Sequence, residues 1–188
     1  MLKYLLSTAV VVTISTAAFA EPLKLELADP QPEAVTEGLA VSYATGAGGR
    51  SLEEAKSKLS GAKPGPALKG LSYLDTEEGE TALTSGETQK VAAAITGYIK
   101  FDASGTYEVN FFSNDGLDAM IGGQQVALAD EVRSCDPTGV TEIEVPAAGW
   151  YALEASYFQR KGSACLMMDW NVGGEMAPVP DTAFGYTN

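Results

Sequence analysis

The chain has 188 residues and a strongly acidic composition, with 12 basic side chains, 25 acidic side chains and a net charge of −13. That length is enough for one domain with its own hydrophobic core. A surface with this charge repels nucleic acid and anionic membranes. The sequence contains no histidine, which excludes Ser-His-Asp and Cys-His catalysis and the zinc sites that need imidazole ligands.

The first twenty residues have the features of a secretory signal peptide. Lys3 precedes an apolar run at residues 9–14, and the small-residue motif Ala-Phe-Ala follows at residues 18–20. We therefore predict that residues 1–20 direct export, to a periplasm or to the outside of the cell. No later stretch approaches the ~20 apolar residues of a membrane helix, so we expect no membrane span.

The next segments predict a leader and one short helix. Residues 21–37 carry three prolines among acidic residues, and we interpret them as a leader that adds an edge strand. Ser51 and Glu54 have the spacing of a capping box, with Ser51 as N-cap and Glu54 at the third helical position. This pattern predicts a short helix over residues 51–59, before the Pro-Gly-Pro loop at residues 64–66.

The second half of the chain has the pattern of antiparallel strands. Apolar and polar residues alternate with period two at residues 107–111 and again at residues 151–157. Glycine-containing turns recur at residues 104–105, 115–116, 122–123, 148–149 and 161–162. Together they predict an all-β fold, an antiparallel barrel or sandwich. Four large apolar residues are expected to fill its core: Met120, Met167, Met168 and Trp170.

The two cysteines, Cys135 and Cys165, are predicted to form a disulfide. An even count in an exported chain favours this pairing over two free thiols. A redox-active pair is the alternative, but the chain has no Cys-x-x-Cys motif to support it.

A series of short motifs runs through the chain in a fixed order. They are Gly97-Tyr98, Gly105-Thr106-Tyr107, Asn114-Asp115-Gly116, Ile121-Gly122-Gly123, Ala148-Gly149-Trp150-Tyr151 and Asp169-Trp170. This order resembles the protective-antigen-type (PA-fourteen) domain family, a β-barrel or β-sandwich module of toxins, adhesins and carbohydrate-active enzymes. The resemblance covers roughly residues 38–186. It implies an accessory binding module, with catalysis left to other domains.

The resemblance also implies a candidate calcium loop at Asn114-Asp115-Gly116. In the sugar-binding branch of the family, two adjacent Asp residues joined by a cis peptide bind a calcium ion that coordinates sugar hydroxyls. Asp115 matches the second Asp, whereas Asn114 stands in the place of the first. An amide ligand lowers the charge of the site, and calcium affinity follows ligand charge. The alternative interpretation is a plain turn, since Asn, Asp and Gly all tolerate left-handed backbone.

Two further residues are candidate ligands of the same site. Asp118 restores the missing charge if its side chain turns into the loop. Asn171 follows the closing Trp170 and offers an amide ligand from a second loop. A cis Asn114-Asp115 peptide with convergent oxygens would support binding, and a trans turn with outward side chains would support the structural interpretation.

From these observations we predict an exported, monomeric, non-catalytic module that binds a glycan, with calcium as the possible cofactor. The alternative is a structural module of the cell envelope that binds a protein partner and neither sugar nor calcium. Catalysis by a carboxylate pair ranks third, because among 25 acids some pair always reaches the required spacing by chance.

Overall fold

The computed structural model describes residues 21–46, 49–171 and 174–187. The predicted signal peptide lies outside the described residues. In chain order the elements are β1 (Leu23–Lys24), β2 (Thr36–Glu37), β3 (Ala40–Thr45), α1 (Leu52–Leu59), β4 (Lys63–Pro64), β5 (Ser72–Tyr73), β6 (Val91–Phe101), β7 (Gly105–Ser113), β8 (Gly116–Ile121), β9 (Gln124–Ala129), β10 (Asp136–Val145), β11 (Gly149–Gln159), β12 (Leu166–Asn171), β13 (Ala177–Pro178) and β14 (Phe184–Tyr186).

These strands form two sheets that pack as a sandwich. Sheet A has the order β1-β10-β7-β12-β13, with β5 also paired to β12. Sheet B has the order β2-β14-β6-β11-β8-β9, with β3 paired to both β6 and β4. The prediction of an all-β fold with one short helix is confirmed, and of the two architectures left open the molecule adopts the sandwich.

Period-two alternation places the core between the sheets. The inward side chains of β7 and β11 are at most 7% exposed, as the two alternating runs predict. Phe101 is fully buried at the end of β6, where its ring centroid is 5.0 Å from that of Tyr107 and 5.4 Å from that of Tyr151. Trp170 completes the cluster, with its ring centroid 5.6 Å from that of Phe101.

The core prediction is right for one of the three methionines. Met168 is fully buried opposite Phe111 on β7, but Met167 and Met120 lie on the outer faces and are only partly buried. Met167 precedes Met168 in the same strand, so the pleat turns it to the opposite face. Met120 pairs with the exposed Glu154.

The predicted helix forms with the predicted cap. The Ser51 hydroxyl accepts a hydrogen bond from the backbone N–H of Glu54 at 3.3 Å. The Glu54 carboxylate reaches back to the N–H of Arg50 at 2.9 Å, one residue earlier than in a standard capping box. These contacts satisfy donors that a helix start otherwise leaves open. Among the described residues, no helix has the length and apolarity needed to cross a bilayer.

Helix α1 packs on the outer face of sheet B. Its buried residues, Leu52 and Ala55, contact Ala92 of β6 and Phe158 of β11. The N–H of Leu52 also donates to the carboxylate of Asp130 at 2.6 Å. The helix therefore covers one end of this face and leaves the rest open.

The leader, residues 21–37, supplies an edge strand to each sheet. Strand β1 pairs in parallel with β10 of sheet A, and β2 pairs with β14 of sheet B. Between them, the side chain of Gln31 exchanges two hydrogen bonds with the backbone of Trp150, at 2.8 and 2.9 Å. The predicted edge strand is thus present, and there are two of them.

Candidate functional site

The candidate loop is the tight connection between β7 and β8. Asp115 has φ of 47°, a left-handed conformation that Asp and Asn adopt at lower cost than most residues. Gly116 follows with its Cα against the ring of Phe158, where a Cβ would overlap the ring atoms. The fold itself therefore requires a residue that tolerates left-handed backbone at position 115 and a glycine at position 116.

The side chain of Asn114 points into the protein and is 3% exposed. Its Oδ1 accepts hydrogen bonds from the hydroxyl of Tyr157 at 2.6 Å and from the N–H of Cys165 at 3.0 Å. Its Nδ2 donates to the carbonyl oxygen of Ser163 at 2.8 Å. An amide is needed for this pattern, because a carboxylate cannot donate to a carbonyl.

Asp115 is buried next to it, at 2% exposure. Its Oδ1 accepts from the N–H of Arg133 at 3.2 Å and its Oδ2 accepts from the N–H of Arg160 at 2.6 Å. The N–H of Asp115 in turn donates to the carbonyl oxygen of Arg133 at 3.0 Å. Burial raises the pKa of the Asp115 carboxyl, and the hydrogen bonds from Arg160 and Arg133 only partly oppose that shift.

The predicted disulfide between Cys135 and Cys165 is present, with 5.9 Å between the two Cα atoms. It joins the segment before β10 to the segment before β12. Asp115 holds the same two connections, through Arg133 on one side and Arg160 on the other. The disulfide and the buried Asp115 carboxylate therefore join the same two loops. We call the group formed by Asn114, Asp115 and the Cys135–Cys165 disulfide the clasp.

The Asn114-Asp115-Gly116 loop was predicted as a candidate calcium site, but as folded it does not fit the ion. Calcium takes six to eight oxygen ligands, whereas the Asn114 and Asp115 oxygens already accept hydrogen bonds from N–H and O–H donors of the protein. The cis peptide of the described residues is Asp29–Pro30, so the bond between Asn114 and Asp115 is trans. Calcium binding here stays a prediction, and it requires the clasp to rearrange.

The other two candidate ligands lie elsewhere. Asp118 is on β8, where its carboxylate binds Lys56 of α1 at 2.5 Å and Gln125 of β9 at 2.8 Å. Burial alone would raise the pKa of Asp118, but these two hydrogen bonds and the Lys56 charge lower it. The structure therefore does not bring Asp118 into the clasp.

Asn171 is also remote from the clasp. It ends β12 opposite Glu108, whereas Leu166 at the start of β12 lies opposite Ser113, next to Asn114. Five residues of strand separate the two ends, about 16 Å. Its Nδ2 donates to the Glu108 carboxylate at 2.9 Å, and its Oδ1 accepts from the N–H of Gly174 at 2.6 Å.

Sequence reasoning missed the residues that complete the clasp, namely Tyr157, Ser163, Arg133 and Arg160. No local spacing connects them with Asn114, which is 43 residues from Tyr157 and 49 from Ser163. One usable signal was the period-two pattern of β11, which places Tyr157 on the inward face and therefore requires a buried partner for its hydroxyl.

Comparison with known proteins identifies the family. The PA14 domain model matches residues 78–182, more than half of the chain. The chain belongs to the PA14 domain family. This confirms the resemblance to protective-antigen-type domains, and the match lies within the 38–186 range that the sequence motifs indicated.

Solved structures share the PA14 fold at low sequence identity. The PA14 domain of the MpAFP antifreeze protein has a TM-score of 0.67 at 15% identity, covering 85% of this chain and 95% of its own. A PA14 sugar-binding domain of an RTX adhesin gives 0.66 at 15% identity, covering 81% and 99%. The Epithelial Adhesin 6 A domain of Candida glabrata, in complex with Galb1-3GlcNAc, gives 0.67 at 12% identity, covering 89% and 94%. No curated protein matches the sequence.

Proposed function

We propose that this PA14 domain is an exported, non-catalytic carbohydrate-binding module. The observation that carries the proposal is the near-complete structural overlap with a sugar-binding adhesin domain and with an adhesin domain in complex with a glycan, which are covered over 99% and 94% of their lengths. The fold alone does not give function, so the proposal needs its own test.

The chemistry of the chain is compatible with binding rather than catalysis. It has no histidine, and the most deeply buried carboxylate, Asp115, is held by backbone N–H groups of two loops. A group held in this way fixes loop positions and is poorly placed to transfer protons to a ligand. The disulfide agrees with an oxidising, extracytoplasmic location.

The test is direct binding of the full chain to an immobilised glycan panel, once with calcium and once with chelator. Binding to at least one glycan in either condition supports the proposal. A difference between the two conditions would show calcium dependence, which the clasp geometry does not require. Absence of binding to every glycan in both conditions would overturn the proposal and favour the alternative, a module that binds a cell-envelope protein.

A further inference from the structure

The outer face of sheet B is only partly covered. Even-numbered residues of β6 and β11 point outward, because the odd-numbered ones fill the core. Helix α1 covers the end of this face that contains Ala92 and Phe158. The remaining part, which includes Thr96 and Glu154, faces solvent.

Three adjoining cavities occupy this open part of the face. Their volumes are about 200, 230 and 410 Å³, and Thr96 lines all three. They therefore form one depression, which we call the trough: Ala40, Ala94, Thr96, Tyr98, Glu154 and Tyr186. From strand spacing it extends about 14 Å across β3, β6, β11 and β8, and about 13 Å along β6 from Ala94 to Tyr98. A short oligosaccharide fits this footprint.

The trough owes its depth to small residues beside large ones. Ala40 pairs with Thr96 and Ala152 pairs with Tyr98, so the floor is low between taller walls. Tyr98 and Tyr186 form the wall at one end, and Lys56 of α1 lines the other. Partly buried tyrosine rings offer apolar faces to a sugar ring and hydroxyls to its polar edge.

The charge of the trough is unbalanced. Glu154 is exposed on the floor between Thr96 and Met120, and no hydrogen bond or ion pair of the described residues involves its carboxylate. Lys56 does not neutralise it, because its ammonium group is bound to Asp118. The trough therefore presents one free carboxylate diagonally opposite Tyr98, since Glu154 pairs with Thr96 and Tyr98 lies two residues further along β6, a separation of about 7–8 Å. A carboxylate beside an aromatic ring is a combination that attracts a cation.

We propose that the trough binds a short saccharide chain with a free amino group, such as an oligomer of glucosamine. The ammonium group pairs with Glu154, a sugar ring packs on Tyr98 and Tyr186, and Thr96 bonds ring hydroxyls. This inference rests on the proposed carbohydrate-binding function and specifies where and what the module binds. The site is remote from the clasp, and it needs no metal.

The test compares two ligands of equal length, a glucosamine oligomer and its fully N-acetylated form, by calorimetry with the full chain. We expect the amino form to bind about fivefold more tightly at low salt, the upper end of what an exposed ion pair contributes. E154Q removes the charge and keeps the shape, so it should abolish that preference. E142Q is the matched control, because Glu142 is an exposed glutamate on the outer face of sheet A.

Each outcome bears on the inference. Loss of the preference in E154Q alone, with unchanged unfolding free energy, supports the trough. If E154Q and E142Q behave alike, or if the acetylated oligomer binds equally well, the inference is overturned. Glycan-panel binding that persists unchanged in E154Q would overturn the trough while leaving carbohydrate binding intact. Tight binding of oligolysine without binding of any saccharide would show that the trough binds a basic peptide. It would refute both the saccharide inference and the proposed carbohydrate-binding function.

Discussion

The clasp predicts a large effect for N114D, which restores the paired aspartates of the sugar-binding PA14 branch. The Nδ2 of Asn114 lies 3.4 Å from Oδ2 of Asp115, so the substitution places two carboxylate oxygens at that distance. At an effective dielectric constant of 20, the repulsion is about 5 kcal/mol. The variant also loses the donor to the Ser163 carbonyl oxygen, which costs about 1–3 kcal/mol.

The pair can reduce this repulsion by sharing one proton. We therefore expect N114D to lower the unfolding free energy by at least about 3 kcal/mol in chelator at neutral pH. Acidification should restore part of the loss. Calcium should stabilise N114D more than it stabilises the wild type. The variant has one more carboxylate ligand, so its native state should bind calcium more tightly.

The assay is denaturant unfolding with and without calcium, and Q125E is the matched control. Gln125 also donates an amide hydrogen to a neighbouring carboxylate, that of Asp118 at 2.8 Å, but it is exposed. At the dielectric constant of bulk water the new repulsion there is about 1.5 kcal/mol, and the Lys56 ammonium bound to Asp118 opposes it. If N114D is as stable as the wild type in chelator, or no worse than Q125E, then the clasp is not the buried, tightly bonded unit described above.

Three further predictions concern the same region. Burial raises the pKa of Asp115 above 3.8, so the native state binds the proton of this carboxyl more tightly than the unfolded state does. The stability that Asp115 contributes therefore falls as pH rises from 3.8 to the raised pKa. D115N should remove this pH dependence, and a wild-type stability advantage over D115N that grows with pH in that interval would contradict the prediction. Removing the disulfide with C135A/C165A should lower the unfolding free energy by about 3–4 kcal/mol for the 30-residue separation, and an unchanged value would show that the clasp hydrogen bonds alone hold the loops. G116A should cost about 1–3 kcal/mol because its Cβ meets the Phe158 ring, while G174A is the matched control, because its Cβ meets no atom within 4 Å and, like Gly116, Gly174 is not in the left-handed region.

The fold was predictable where the sequence signal is local. The alternation at residues 107–111 fixes which side chains enter the core, and Ser51 with Glu54 marks the start of α1. Because the chain has no other cysteines, Cys135 and Cys165 can pair only with each other. Each of these inferences needs only near neighbours or composition.

The site was less predictable because its contacts join distant parts of the chain. Whether Asn114 faces a metal or a protein hydroxyl depends on Tyr157, and whether Asp118 joins it depends on Lys56. The trough was not visible either, since the run Ala92-Ala93-Ala94 has no alternation and its outward face is defined only by where α1 packs.

The two strands of the leader have a practical consequence for anyone who shortens this protein. Strand β1 closes the β10 edge of sheet A, and β2 closes the β14 edge of sheet B. A version that starts at residue 38, where the motif resemblance begins, would leave both edges with unpaired N–H and C=O groups. Such edges recruit strands from other molecules. Residues 21–37 therefore protect these two sheet edges from aggregation and should be retained in any truncated form.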